Sequence, residues 1–304
     1  MDSIEEIRRQ RAIEWEMRMS VECVPIRGRS RSPRGKVVSD VACDELRVLS
    51  WNIDGLDDLS SEEDMLGRTL WVIEKISQVC PHVIFFQELI DFNYHILNQR
   101  LNRAFHFIKQ EDASLPYFVA ILIHRKTMKL NDSRTISFPS SRMGRSAVYA
   151  AASFIGSSSP PIGFITAHLE SLGESSSERK NQLEICKNFI HKSIGIDKFV
   201  FGGDLNIRDI ELGAFMQGGQ FKDCWTHVGS PKENQYTWDM ARNDNPQMKG
   251  KPCCRFDRLY MWSRCGEFFS VKKFNLVGTD RIPSLNRFAS DHFGIFVEFT
   301  GLWN

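Results

Sequence analysis

The chain has 304 residues and a formal net charge of +1, enough for one large domain or two modest ones with a core that needs no disulfide or metal staple. Hydrophobic residues make up 42% and charged residues 25%, a balance that argues against a disordered or fibrous chain, and the near-neutral charge leaves any attraction to phosphate to local patches. No apolar run approaches the roughly 18–20 residues of a membrane span and the N-terminus lacks a signal-peptide core, so a soluble, intracellular protein is expected.

Residues 1–43 stand apart as a flexible basic segment, with a short charged helix expected over 5–19. Residues 25–36, PIRGRSRSPRGK, carry five basic residues and no acidic one, too little apolar surface to fold. They read as a solvated linker and, compatibly, as a nuclear-import or nucleic-acid patch, so the nucleus is the expected location, with the cytoplasm as the alternative. Ser32-Pro33 is a candidate phosphorylation site. The eight cysteines form no CxxC pair and read as reduced, mostly buried thiols.

From residue 44 the pattern is regular. LRVLSW (46–51) predicts a strand, and 66–80 a helix with Leu66, Leu70, Ile73, Ile76 and Cys80 on one face, closed by Pro81. VIFFQ (83–87) is a continuous apolar strand, buried on both faces. A helix follows near 92–104, then strands near 105–109, 117–124, 134–139, 146–155 and 161–167. A second amphipathic helix over 178–194, through Leu183, Cys186, Phe189 and Ile190, leads into a strand at 198–203. Further strands are expected near 257–263, 268–276 and 293–299. Strand-helix-strand units followed by runs of strands predict an α/β fold of two packed sheets flanked by helices.

Polar residues sit where the hydrophobic strands stop: Asn52 and Asp54, Gln87 and Glu88, His168 and Glu170, Asp204 and Asn206, Asp291 and His292. Each alone has a bland reading. Asn and Asp after a strand are turn formers, and Asp54-Gly55 is given that role; a lone histidine is more often structural. Asp204 and Asn206, two apart in extended chain, are expected to face the same way. Five strands that each deliver a carboxylate, amide or imidazole at one end outweigh the separate readings. Such a donor set suits magnesium, or manganese in its place. Trp51, Phe85, Phe86, Phe201 and Phe293 are assigned to the core.

The ordered motifs WNIDGL (51–56), FFQEL (85–89), HLES (168–171), GGDLN (202–206) and SDH (290–292) resemble the endonuclease/exonuclease/phosphatase superfamily. The resemblance implies a four-layered α/β sandwich of two mixed sheets over 44–304 and magnesium-dependent hydrolysis of phosphoesters. WNIDGLD (51–57), FPSSRMGRS (138–146), ERKNQL (178–183), GGDLNIRD (202–209), QYTWD (235–239) and RFDR (255–258) are closer still to its 5′-tyrosyl-DNA phosphodiesterase branch. That branch releases tyrosine, or a topoisomerase II peptide, from the 5′ phosphate of DNA, and a monomer is expected. Members often carry an N-terminal ubiquitin-binding module; residues 5–22 are too short and charged for a complete one.

The resemblance carries roles onto matching positions. Glu88 becomes the main metal ligand, Asn52 supports metal through water and contacts phosphate, and Asp291 lies in the outer metal shell or caps its turn. Asp204 orients and deprotonates water, which Asn206 helps to hold. His168 and His292 donate to the phosphoryl oxygens, with Asp257 holding the other ring nitrogen of His292. Arg208, Arg145 and Ser171 are phosphate contacts, Trp238 a packing surface for the terminal nucleotide, and Tyr117 and Arg142 weaker candidates near the substrate channel. The alternatives are another phosphoesterase of the same fold (abasic endonuclease, deadenylase, inositol-phosphate or sphingomyelin hydrolase) and a non-catalytic scaffold that binds DNA ends or protein partners.

Overall fold

The computed structural model describes residues 45–111, 115–246 and 249–302; the expectations for residues 1–43 lie outside them. The first six-stranded sheet runs in the order β13 (Ser270–Val277), β14 (Gly294–Thr300), β1 (Glu45–Asn52), β2 (Val83–Leu89), β4 (Phe118–His124), β3 (Phe105–Lys109). The second runs β5 (Met128–Ser137), β6 (Ser146–Phe154), β7 (Ile162–His168), β8 (Lys198–Asp204), β12 (Asp257–Ser263), β9 (Phe221–Asp223). A two-stranded ribbon pairs β10 (Trp238–Asp239) with β11 (Cys253–Cys254).

Within the two large sheets, the parallel pairs are β1 with β2 and β7 with β8, each joined through a helix, as parallel strands require. α1 (Glu62–Val79) makes the first crossover and α3 (Ser176–Lys192) the second; α2 (Asp91–Leu101) and the short α4 (Cys224–His227) complete the helices longer than a 3-10 turn among the described residues. α1 and α2 cover the outer face of the first sheet through Val72, Ile73, Ile76, Leu97 and Leu101. α3 covers the second through Leu183, Cys186 and Ile190. The two sheets meet over a layer that includes Val48, Phe85, Ile121, Phe164, Val200 and Met261. The expected sandwich of helices, two mixed sheets and helices is observed.

Strand parity decides what reaches the site. Leu46 and Val48 of β1, Val83 and Phe85 of β2, Ile162 and Phe164 of β7, and Leu259 and Met261 of β12 all point between the sheets. Counting on by two puts Ser50, Asn52, Gln87, Thr166 and His168 on that inner face, and counting back puts Asp257 there. All of them are buried. The layer that is apolar in the middle of the molecule becomes polar at one pole.

The apolar face of α1 differs from its expected phase. Its buried residues are Met65, Arg68, Thr69, Val72, Ile73 and Ile76, while Leu70 is 38% exposed. Two polar residues, Arg68 and Thr69, occupy the inward stripe because each has partners there, so counting apolar residues alone turned the helix away from its true face. α1 also starts earlier than expected, where the Ser61 hydroxyl accepts from the Asp64 amide and caps it. Strand β5 begins at Met128, not near 134. The described cysteines are free, as expected, but of these six only Cys186 and Cys224 are buried.

Candidate active site

The C-terminal ends of β1, β2, β7 and β8 lie at one pole, paired Asn52 with Gln87 and His168 with Asp204. β12 runs antiparallel to β8, so its first residue, Asp257, pairs with Asp204. β14 runs antiparallel to β1, which brings the preceding Asp291 and His292 to the same place. Glu88 reaches the site by a different device. Parity would turn it outward, but a register shift between Phe86 and Leu89 and a φ of 53° at Glu88 rotate it to the pole. Asp54 (φ 50°) and Asn206 (φ 49°) share this left-handed geometry, which costs about 1 kcal/mol or more per non-glycine residue. Gly55 explains the close fit beside Glu88: its amide donates to the Glu88 carbonyl at 3.1 Å, and an added Cβ would lie 2.3 Å from that oxygen.

The centre is a compact polar network. The Asn52 amide group donates to Glu88 Oε1 and to Asp204 Oδ2, both at 3.0 Å. Its oxygen accepts from the Asp54 backbone N–H at 2.9 Å, so Asn52 bridges two carboxylates and its oxygen is committed to a turn. His168 Nε2 stands 3.3 Å from Asp204 Oδ2 and 3.7 Å from Glu88 Oε1. His292 Nδ1 lies 2.7 Å from Asp257 Oδ2, with Nε2 3.8 Å from Asp204 Oδ2. Trp51 fixes the His292 carbonyl at 3.0 Å, and the Ser290 hydroxyl donates to the Asn52 carbonyl at 2.7 Å. Asp291 accepts from Trp238 Nε1 at 3.1 Å, which ties the acidic pole to the β10–β11 ribbon.

Burial and these neighbours sort the charges. Burial and then Asp291 push Glu88 up to about 7, and burial and then Asp291 push Asp54 well above the carboxylate range against the pull of Arg68. Burial works the same way on Asp204, but His168, His292 and Asn52 outweigh it and keep it ionised. Burial and Arg145 hold His168 far below the ordinary range, so it is neutral. Its Nδ1 has no partner among the described residues, which assigns the proton to Nε2, facing Asp204. Burial alone would depress His292, but Asp257, Asp291 and Asp204 raise it well above that range, so it is charged.

The residues fit a divalent cation. Ligand atoms of Glu88, His168 and Asp204 all lie within 4.8 Å of one another, as do those of Asp204, Asp257 and His292. The second group is already satisfied by the Asp257–His292 contact. In the first, Glu88 carries a burial penalty that a nearby cation would relieve. Neither group includes Asn52 or Asp291. Asn52 links Glu88 to Asp204 through its amide group, and Asp291 stands beside the first group with one oxygen on Trp238.

The remaining expected residues line the rim. Arg145 is buried; it donates from Nε to the Tyr117 hydroxyl at 3.2 Å and from NH1 to the Leu169 carbonyl. The Tyr117 ring lies 6.1 Å from that of His168. Asn206 Nδ2 donates to Leu169 O at 3.2 Å and to Ser171 Oγ at 3.3 Å, while its N–H donates to Asp204 Oδ1 at 3.0 Å. Asp204 and Asn206 are thus related by a turn, and the extended spacing expected for them does not occur. Trp238 is half-buried, 5.7 Å from the Phe256 ring, and the exposed Arg208 stands 5.6 Å over that same ring. Arg142 is exposed.

Three residues at or behind the site escaped the sequence reading: Asp54 as a carboxylate of the acidic pole, Arg68 and Arg179; Glu170 was singled out beside His168 at its strand end but given no role of its own. Arg68 is 1% exposed and donates to the Ile53 and Asp54 carbonyls and to the carboxylates of Asp54 and Asp57. Its Nε also reaches the Ala289 carbonyl at 2.8 Å. For the arginines the available signal was a basic residue within the first two turns of each crossover helix, on the stripe facing the sheet.

No family model matches the chain. Its fold is shared with an endonuclease/exonuclease/phosphatase family protein from Bacteroides thetaiotaomicron, at a TM-score of 0.67 and 16% identity over 84% of this chain and 97% of that one. The fold, with this cluster of carboxylates and imidazoles at one pole of the sandwich, is that of the endonuclease/exonuclease/phosphatase proteins. The zebrafish (Danio rerio) protein named Tyrosyl-DNA phosphodiesterase 2 is 30% identical over 274 residues, covering 89% of this chain and 71% of that protein. A crystal structure of the D. rerio protein complexed with single-strand DNA product superposes with a TM-score of 0.77 and 29% identity, over 84% of this chain and 99% of that one. The chain belongs to the tyrosyl-DNA phosphodiesterase 2 family.

Proposed function

We propose that this chain hydrolyses the 5′-phosphotyrosyl bond between DNA and a tyrosine or tyrosyl peptide of topoisomerase II, leaving a 5′ phosphate in the course of DNA repair. It does so as a monomer, with magnesium, or manganese in its place, held chiefly by Glu88. The observation that carries the reading is the site geometry in a chain of this family: Glu88, His168 and Asp204 bring ligand atoms within 4.8 Å of one another, with His292 held on Asp257 beside them. A nuclear location belongs to the same proposal, supported by the DNA substrate and by the basic segment 25–36.

Asp204 and Asn206 hold the attacking water, and Asp204 takes its proton as the new P–O bond forms. Nε2–H of His168 and of His292 donate to the non-bridging oxygens as charge builds there. Asp257 keeps the His292 ring oriented and charged. A bound divalent cation would neutralise phosphoryl charge and favour departure of the leaving oxygen. Tyrosine leaves as a phenolate, whose conjugate acid has a pKa near 10, so the chain needs no strong general acid aimed at it. Arg208 and Ser171 contact phosphates, and Trp238 packs against the terminal nucleotide.

Purified protein should be assayed on 5′-phosphotyrosyl oligonucleotide, abasic duplex and poly(A), stripped of metal and then with magnesium or manganese restored. Metal-dependent release of tyrosine is expected. Turnover of another substrate with none on the tyrosyl oligonucleotide would overturn the reading.

A further inference from the structure

The two stretches FPSSRMGRS (138–146) and ERKNQL (178–183) hold no group at the chemical centre except Arg145, yet they meet in space. They meet at Glu170, two residues beyond His168. Glu170 is 1% exposed, and both of its carboxylate oxygens are spent on neighbours. Oε1 accepts from the backbone N–H groups of Arg142 and Met143, at 2.9 and 3.0 Å. Oε2 accepts from the Ser141 hydroxyl at 2.7 Å and from Gln182 Nε2 at 3.1 Å. The Glu170 backbone is held as well: its N–H donates to Gln182 Oε1 at 2.9 Å, and its carbonyl accepts from Arg179 NH1 at 3.0 Å. A second line of contacts runs outside this one, from Glu178 and Asn181 to the Ser140 hydroxyl at 3.1 and 2.8 Å.

What the clasp delivers is Arg145. Ser141 Oγ, fixed by Glu170, accepts from the Arg145 N–H at 2.9 Å. The guanidinium then lies 5.6 Å over the Tyr117 ring and against the carbonyl of Leu169, one residue from both His168 and Glu170. Two successive backbone N–H groups around one anion form a nest, and here the anion is the protein's own carboxylate.

We infer that Glu170 is a positioning residue for the reaction: its carboxylate clasps the 138–146 loop to α3, and through Ser141 it sets the Arg145 guanidinium that receives the substrate phosphate. The two flanking motifs are the halves of that clasp. Glu170 itself touches neither substrate nor metal, since its oxygens are filled.

The inference rests on the proposed reaction and is tested with the full chain, magnesium and a 5′-phosphotyrosyl oligonucleotide. Glu170→Gln keeps the size but replaces one acceptor oxygen by an N–H₂, so either the nest or the Ser141–Gln182 pair faces a donor. It is expected to raise KM about tenfold, as misplacement of a binding group does, with kcat within about twofold, the split expected when binding geometry rather than the chemical step is lost. Arg145→Ala is expected to show the same split. The double variant should lose no more than about twofold beyond Arg145→Ala, because both changes remove one function. Binding of a 5′-phosphorylated single strand, read by anisotropy without turnover, should weaken in parallel.

Losses that multiply in the double variant would overturn the inference, as would an unchanged KM with a kcat that falls only with the folded fraction. Should Glu170→Gln fail to fold, Ser141→Ala removes the Ser141–Glu170 bond and the Arg145 N–H bond that depends on it and carries the same test, with a KM rise of about threefold expected. A wild-type chain that binds the phosphorylated strand but leaves the tyrosyl bond intact would overturn the reaction and not the clasp. Wild-type turnover with an unaffected Glu170→Gln would overturn the clasp alone.

Discussion

The two crossover units, β1–α1–β2 and β7–α3–β8, solve the same local problem in the same way. Each loop leaving the first strand would bury carbonyl groups without partners, and each is gripped by an arginine buried on the following helix. Arg68 grips Ile53, Asp54 and Ala289; Arg179 grips Glu170 and Leu172. They differ in the acid that completes the grip. Glu211 meets Arg179 at 2.7 Å, and although burial opposes it, hydrogen bonds from Arg179 and Ser176 hold it at about 2. Asp54 meets Arg68 at 3.0 Å but shares its pole with Asp291 and Glu88, which help hold it high. The second unit is closed electrostatically; the first crowds more carboxylates together than Arg68 neutralises, so Asp54 and Glu88 hold protons that a bound cation would displace.

That contrast breaks first at its acid residues. Glu88→Ala and Asp204→Ala should each cut single-turnover release of tyrosine by about 10³-fold, the former recovering in part as magnesium is raised and the latter not. Equal recovery of both would erase the division of labour between metal and water. Asp257→Asn should cost less, about 10–100-fold, because it disorients His292 without removing it.

The arginines sharpen the contrast. Arg179→Ala strands the buried Glu211 and should lower unfolding free energy by about 3–5 kcal/mol, read by denaturant melts, with half-maximal magnesium unchanged. Arg68→Ala should destabilise the fold comparably and also raise the half-maximal magnesium concentration about tenfold, because the loop behind Glu88 loses its anchor.

The two units should also answer pH in different ways. As the proposed metal ligand, Glu88 must be ionised, so magnesium affinity should climb as pH rises to about 7 and flatten above it, with proton release seen by calorimetry in buffers of different ionisation heat. Glu211 is depressed in the fold; its contribution to stability is present above the unfolded pKa of about 4.3 and drains away as pH falls toward 2. Magnesium affinity independent of pH between 6 and 8 would contradict the loaded state of the first unit. The smallest effect concerns helix phase: Leu70→Ala should cost under about 1 kcal/mol where Ile73→Ala costs about 2–5.

Most of the strand framework was legible because strand ends here coincide with abrupt switches from apolar to polar sequence. The five polar clusters followed from the same switches, and the structure gathers them at one pole. What stayed hidden depends on partners far along the chain. Arg68 looks like a surface charge, and Glu170 like one more strand-end carboxylate, until the carbonyls and amides they satisfy are known. The bulge that turns Glu88 inward leaves no mark in FFQEL, and the two-residue strands β10 and β11 are too short for any period to register. Asp54 was read as a turn; its φ of 50° fits that, but its side chain belongs to the acidic pole.

The inner face that ends in the site is also the layer on which the two sheets rest. Glu88 stands on one sheet and Asp204 on the other, bridged by the Asn52 amide group at 3.0 Å on each side and flanked by His168 Nε2. The sandwich therefore works as a caliper, with Phe85 and Phe164, 6.5 Å apart between ring centroids, among the side chains that set its opening. Trimming or enlarging those rings would change the width of the jaws at the pole, and thereby the span offered to metal and phosphate, without altering a single polar residue.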